Sequence, residues 1–361
     1  MSRTGAPKVI VNIANALDKS IYEVTIYNVN SSASQLDGEV DKDIRLTEYH
    51  PIISKGKASD NLLVKYLFKV LGRIFSISEH FKKELTRFKP DLVLINTLYH
   101  LYLSDITEEM GIKTVRYFHE LESYLFSLNE KDKFRLLKSK DILWACSKKV
   151  KYNLEKYYLK RNVEVVYPLV YLKENKKTIE VLRDKPFTII SAAAVDFRKG
   201  FDLWVEVAIA ALQKNNELVF EWYGTANEKS LIFSSSIKKI PEIFKNNIIY
   251  KGETQSLLVK MAKSNLFFLP SREDPFPIVC IEAISSGIPC VGFNSGGILE
   301  LEEMGVASTV PLGEIEKLSE IILNYANGKK SISKEKSMNT YEAFRPKKIF
   351  QKVESEIRSL I

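Results

Sequence analysis

The chain has 361 residues, with 53 Lys and Arg against 45 Asp and Glu for a net charge of +8, and is long enough for two α/β domains with separate cores. Its 45% hydrophobic and 11% aromatic content is that of a folded globular protein; no apolar run approaches the roughly 18 residues of a membrane span, and the start lacks the apolar core of a signal peptide. No helix-turn-helix, zinc finger or aromatic RNP-type motif accompanies the positive charge, so nucleic acid is not expected as its partner, whereas steering of nucleotide diphosphates fits it.

From the start, residues 2–17 (SRTGAPKVIVNIANAL) read as a loop around Gly5 and Ala6 that runs into a helix. Short apolar runs then alternate with helical segments, the pattern of parallel α/β sheets. Strands are expected near 23–29, 91–95, 113–118, 142–145 and 163–166. Between the first two, Asp41-Lys42-Asp43 has the DxD spacing that can hold a divalent ion. It sits in a polar loop with no apolar strand before it, so no metal is expected there. An amphipathic helix is expected over 59–77, with Lys65, Lys69 and Arg73 four apart on one stripe amid apolar positions such as Leu63, Leu67 and Val70. Such a stripe suits an anionic membrane surface; the same pattern also fits a helix with its apolar side on the sheet.

His119 ends the strand near 113–118, beside Glu120; Ser123 stands where an HExxH zinc protease needs its second histidine. His50, His80 and His100 are isolated as well, and Cys146, Cys280 and Cys290, in apolar contexts, read as reduced core residues of a cytoplasmic protein. Residues 171–186 are polar and lysine-rich without a period and read as an interdomain linker. Strands resume near 187–191, 218–223, 248–250, 266–269, 289–293 and 307–310, and the tail from Pro346 reads as a helix. The expected organisation is a first domain over 1–170, the linker, a second domain over 187–345 and a terminal helix over 346–361.

Two segments of the second domain carry chemistry. Arg198-Lys199-Gly200 follows a strand and precedes a helix expected over 201–212. The segment LPSREDPFPIVCIEAISSGIPCVGFNSGGILE (269–300) joins a buried strand, a loop with Pro275 and Pro277, a helix over 278–284, a stop at Gly287, another strand and a turn at Gly296-Gly297. A helix start beside a glycine turn offers unpaired N–H groups and a positive dipole end, which suit a diphosphate. Asp274 in the loop and Glu282 in the helix can grip a sugar hydroxyl and a ribose diol on either side of it.

This segment resembles the donor-site signature of the retaining nucleotide-sugar glycosyltransferases of family 4, which have the GT-B fold of two Rossmann-like domains facing across a cleft. The run REDPFP (272–277) is similar to that of one subgroup. The resemblance implies that Glu282 binds the donor ribose and that Asp274, where relatives carry Glu, meets the transferred sugar; Glu273 competes for that role. It implies that Lys199 touches the diphosphate; the usual Gly-Arg is replaced by Ala193-Ala194, and Arg198 is either the substitute for its missing guanidinium or a solvated surface residue. The N–H groups of Phe276 and Ile278 are expected to face the donor, with Pro277 between them giving none; Tyr223-Gly224 and Gly252 are candidates for close backbone approach to the nucleotide. In the first domain, His119 is expected to face the donor sugar, and Gly5 and Ala6 to lie near the diphosphate or acceptor. In relatives a strand precedes that loop, whereas only four residues precede Gly5 here. Either translation starts further upstream or the domain lacks a strand from the middle of its sheet.

The activity implied is a metal-independent, cofactor-free transfer of a sugar from a nucleoside diphosphate sugar to a hydroxyl of a growing, lipid-linked surface glycan, at the inner face of the cytoplasmic membrane. A GT-B nucleotide-sugar epimerase and a catalytically inactive nucleotide-sugar-binding protein are the alternatives.

Overall fold

The computed structural model describes residues 5–29, 37–49, 77–157, 163–172 and 186–361. Lys65, Lys69 and Arg73 therefore lie outside the described residues, as does most of the expected linker. The chain forms two compact units, one of Met1–Cys146, Lys151–Tyr171 and Pro346–Ile361, the other of Ser147–Val150 and Leu172–Arg345.

In the first unit, β1 (Thr25–Asn28) pairs in parallel with β2 (Arg45–Glu48), and β3 (Leu92–Ile95), β4 (Lys113–Phe118), β5 (Ile142–Ala145) and β6 (Glu164–Val165) form a second parallel sheet in that order. Among the described residues no strand joins β1 to β3. The run RLTE of β2 gives no clear apolar alternation, and no strand is expected there from sequence. It forms because Ile44 and Leu46 pack with Ile26 and with Val11 of the helix Ala6–Ala16, while Arg45 lies over the Phe88 ring. β4 is buried along almost its whole length, as a strand covered on both faces must be. The terminal helix Pro346–Leu360 buries Ile349, Val353 and Ile357, spaced four apart on one stripe.

The second unit is a six-stranded parallel sheet of β7 (Thr188–Ala192), β8 (Val219–Tyr223), β9 (Ile248–Gly252), β10 (Leu266–Leu269), β11 (Cys290–Phe293) and β12 (Ala307–Val310), in the spatial order β12-β11-β10-β7-β8-β9. The helix Phe201–Leu212 is buried nearly all round; its Phe201 ring stacks on Trp204 at 5.5 Å and meets Trp222 edge-on at 5.0 Å. Each such aromatic, fully buried, contributes about 1.5–3 kcal/mol relative to exposure. Chain direction across the sheet reverses between β7 and β10. At such a switch point the loops leaving the carboxyl ends diverge, and ligands of doubly wound sheets bind there. Among the described residues no helix is long and apolar enough to cross a membrane.

Candidate functional site

The two segments singled out in the sequence leave β7 and β10 at this switch point, and the structure presses them together. Gly200, at φ 71°, is the point of closest approach: a Cβ there would lie 2.1 Å from the Pro270 carbonyl oxygen. The Arg272 N–H donates to the Arg198 carbonyl at 2.8 Å, and Arg198 Nη1 donates to the Glu273 carbonyl at 3.0 Å. Arg272 holds Asp202 with two bonds of 2.8 and 2.6 Å and lies over the Phe197 ring. Arg198 thus acts first as a fastener between the loops. Lys199 is left to meet Asp274, with Nζ 2.7 Å from Oδ2. Asp274 is only 5% exposed, and its backbone is fixed on both sides, donating to Ser295 O at 2.7 Å and accepting from Gly297 N at 3.0 Å. Lys199, Asp274, Arg198 and Glu273, 75 residues apart in two pairs, are therefore one cluster.

The helix Ile278–Ser285 starts immediately after it, with Pro277 as its cap residue. Here the structure corrects one expectation: the Ile278 N–H is turned onto the Phe276 carbonyl at 3.0 Å and is not open to a ligand. The Cys280 and Ile281 N–H groups both go to Pro277 O, which leaves the Val279 N–H without an acceptor among the described residues. Sequence reading did not single out this open N–H; the place of Val279 as second residue of a helix opened by proline was the available signal. Phe276 is buried against Phe344, ring centroids 5.6 Å apart, and serves packing. Glu282, on the first turns of the helix, has no partner for its carboxylate among the described residues, and burial alone pushes its carboxyl up to about 7. Gly224 also departs from expectation. Its φ is 141° and a Cβ would fall 1.9 Å from the Ala193 carbonyl oxygen, so the backbone it admits is the chain's own. Gly252, at φ 71°, has open space beside it.

In the first unit, His119, Ala6 and Gly5 come together at the carboxyl end of β4 through a residue not anticipated, Asn96. Its Nδ2 donates to Ala6 O at 2.7 Å, so its Oδ1 faces His119 Nε2 at 2.9 Å and sets the Nε2–H tautomer. Gly5 is the cap of the helix Ala6–Ala16, accepting from Lys8 N at 3.1 Å. Burial lowers the His119 pKa to about 3, so the ring is neutral at physiological pH. Glu120 accepts from the His119 N–H at 2.9 Å, from the Leu98 N–H at 3.1 Å and from Thr97 Oγ1 at 3.0 Å; burial nevertheless raises its carboxyl above the ordinary range. Below it, the fully buried Arg116 pairs with Asp141 at 2.9 Å and donates to Thr97 O at 2.9 Å. Asp41, Lys42 and Asp43 form an exposed turn before β2, and no group of three His, Cys, Asp or Glu that could hold a metal occurs among the described residues.

Comparison with known proteins accounts for both units. The family described as Glycosyltransferase Family 4 matches residues 3–174, and that described as Glycosyl transferases group 1 matches residues 173–343. An uncharacterized glycosyltransferase of Haemophilus influenzae is 24% identical over 313 residues, 84% of this chain and 80% of its own length. The lipopolysaccharide core biosynthesis mannosyltransferase LpcC of Rhizobium leguminosarum is 25% identical over 134 residues, 36% of this chain and 38% of its own. Among solved structures, Anabaena HepE in complex with UDP aligns with a TM-score of 0.76 at 16% identity, over 99% of this chain and 97% of that one. The lipopolysaccharide outer core galactosyltransferase WaaB in its apo form gives 0.68 at 17% identity, over 99% and 97%.

Proposed function

The chain belongs to glycosyltransferase family 4, with the GT-B fold of two Rossmann-like domains, and on that footing we propose that it moves a sugar from a nucleoside diphosphate donor to a hydroxyl of a growing glycan, with retention at the anomeric carbon and without a metal. The observation that carries this reading is the Lys199–Asp274 pair at the switch point, followed at once by a helix bearing Glu282, whose carboxylate has no partner among the described residues. As the glycosidic C–O bond breaks, negative charge builds on the leaving diphosphate. A fixed ammonium and an open N–H, here Lys199 and Val279, stabilise such charge more than they stabilise the ground state. Asp274 would then accept a sugar hydroxyl, and Glu282 the ribose diol. The UDP complex of HepE supports a nucleotide donor, and the names of LpcC and WaaB, a mannosyl- and a galactosyltransferase of lipopolysaccharide core, support a lipid-linked acceptor. Cytoplasmic donor and lipid-linked acceptor meet at the inner membrane face, for which the spacing of Lys65, Lys69 and Arg73 offers peripheral contact.

The direct test is incubation with UDP-, GDP- and dTDP-sugars without acceptor. Slow hydrolysis of one donor is expected, unchanged by EDTA. If EDTA abolished it and a divalent ion restored it, the metal-free reading would fail; a sugar epimer in place of hydrolysis would establish the epimerase, and binding without turnover the inactive binder. His119→Ala is expected to lower turnover at least about tenfold, or about 1.4 kcal/mol of barrier, with nucleotide affinity little changed. Because the ring titrates far below neutrality, the wild-type rate should also show no limb from His119 between about pH 5 and 8. Normal turnover in folded His119→Ala protein would make this histidine a purely structural partner of Asn96.

A further inference from the structure

The loop after β3 holds an aromatic side chain outwards with unusual firmness. Leu98 and Leu101 are buried on either side of it. Glu120 ties down the Leu98 N–H and Thr97 Oγ1, Thr97 Oγ1 in turn accepts the Tyr99 N–H at 3.0 Å, and Arg116 donates to the Thr97 carbonyl. His100 is left-handed at φ 58°, a conformation unfavourable for a residue with a Cβ. Between these anchors Tyr99 stays 51% exposed. Its ring meets Tyr124 edge-on, 88° between planes and 6.3 Å between centroids; Tyr124 is 37% exposed on the short helix Glu122–Phe126, held by buried Leu121 and Leu125. Two part-exposed aromatic faces held at right angles form a preformed corner, apolar on its faces and polar at its phenol tips.

We propose that the Tyr99–Tyr124 pair receives a sugar ring of the acceptor. The assignment rests on the transferase reading above. A pyranose matches the surface chemically: its C–H face is apolar and stacks on an aromatic ring, while its rim of hydroxyls meets the two phenol groups. The position matches as well, since one carboxylate, Glu120, fixes both the Tyr99 loop and the backbone of His119. An acceptor sugar docked here is held by a preformed surface and loses little binding energy to loop ordering.

The test is saturation-transfer NMR with millimolar methyl glycosides of glucose, galactose, mannose and N-acetylglucosamine, in the absence of nucleotide. Wild-type protein should bind at least one glycoside, with transfer strongest to the protons of one ring face. Tyr99→Ala and Tyr124→Ala should each weaken it by about two- to tenfold, while Tyr99→Phe and Tyr124→Phe keep most of it. Both side chains are exposed, and unchanged melting would show that the Ala variants are folded. The proposal is overturned if no glycoside binds the wild type, if the Ala variants bind equally well, or if binding requires nucleotide, as a donor sugar would. UDP, GDP and dTDP affinities on the same proteins separate the two ideas: glycoside binding with no nucleotide binding at all would count against the transferase reading alone.

Discussion

Lys199→Ala is expected to lower turnover at least about a hundredfold, the scale of one charge-stabilising donor, and to cost about 2–4 kcal/mol of stability. The two losses have separate causes. Stability falls because Asp274, with a side chain 7% exposed, loses its counter-ion. The figure sits toward the lower end for a broken buried pair because the Lys199 side chain retains 20% exposure and water screens part of the interaction. Turnover falls because the leaving diphosphate loses the ammonium of Lys199, while Arg198 and Arg272 are held by Glu273 O and Asp202. The double variant Lys199→Ala with Asp274→Asn should therefore regain most of the stability and none of the turnover. Urea melts and steady-state rates on the three proteins decide it. A Lys199→Ala enzyme that works normally would remove this lysine from the diphosphate site.

For Glu282→Gln, donor affinity should drop about five- to hundredfold while the free protein becomes more stable above neutral pH. A carboxylate accepts two hydrogen bonds from a ribose diol, and an amide must turn an N–H towards one of those hydroxyls. The stability change follows from linkage. With its carboxyl at about 7 when folded against an ordinary 4.5, Glu282 binds more protons in the folded than in the unfolded chain over that interval. Its contribution to stability is thus fully present below about pH 4.5, is lost as pH rises towards 7, and does not change further above that. The glutamine does not titrate, so the variant's advantage should grow across this window and reach up to about 3 kcal/mol near pH 8. Donor affinity of the wild type should move the other way, tightening from about pH 6 to 8 as the carboxylate forms, and that of the variant should stay flat. Equal donor affinity in the two proteins would take Glu282 out of the site. Such a site trades folding stability for a carboxylate held ready without a partner among the described residues.

What sequence alone determined here was whatever depends on neighbours along the chain. The alternation of apolar runs and helices, the helix at 201–212 behind Arg198-Lys199-Gly200, and the loop and helix around Pro277 all follow from local periodicity, proline and glycine. That locality is why Lys199, Asp274 and Glu282 were legible as a set: each sits at a strand end or helix start that its own segment specifies. The tertiary structure decided what depends on pairs distant in sequence. Strand β2 exists because Ile44 and Leu46 find Ile26 and Val11, not because its own residues alternate. Arg116 lies fully buried in β4 because Asp141, 25 residues on, neutralises it. Asn96 joins His119 to Ala6, Gly224 admits Ala193, and the Ile278 N–H closes on its own turn, leaving Val279 open. In a parallel sheet, residues 20 to 100 positions apart become neighbours at one edge only when the strands are laid side by side. No periodicity records which of them will face each other, because the connecting helices carry the chain away and back between contacts.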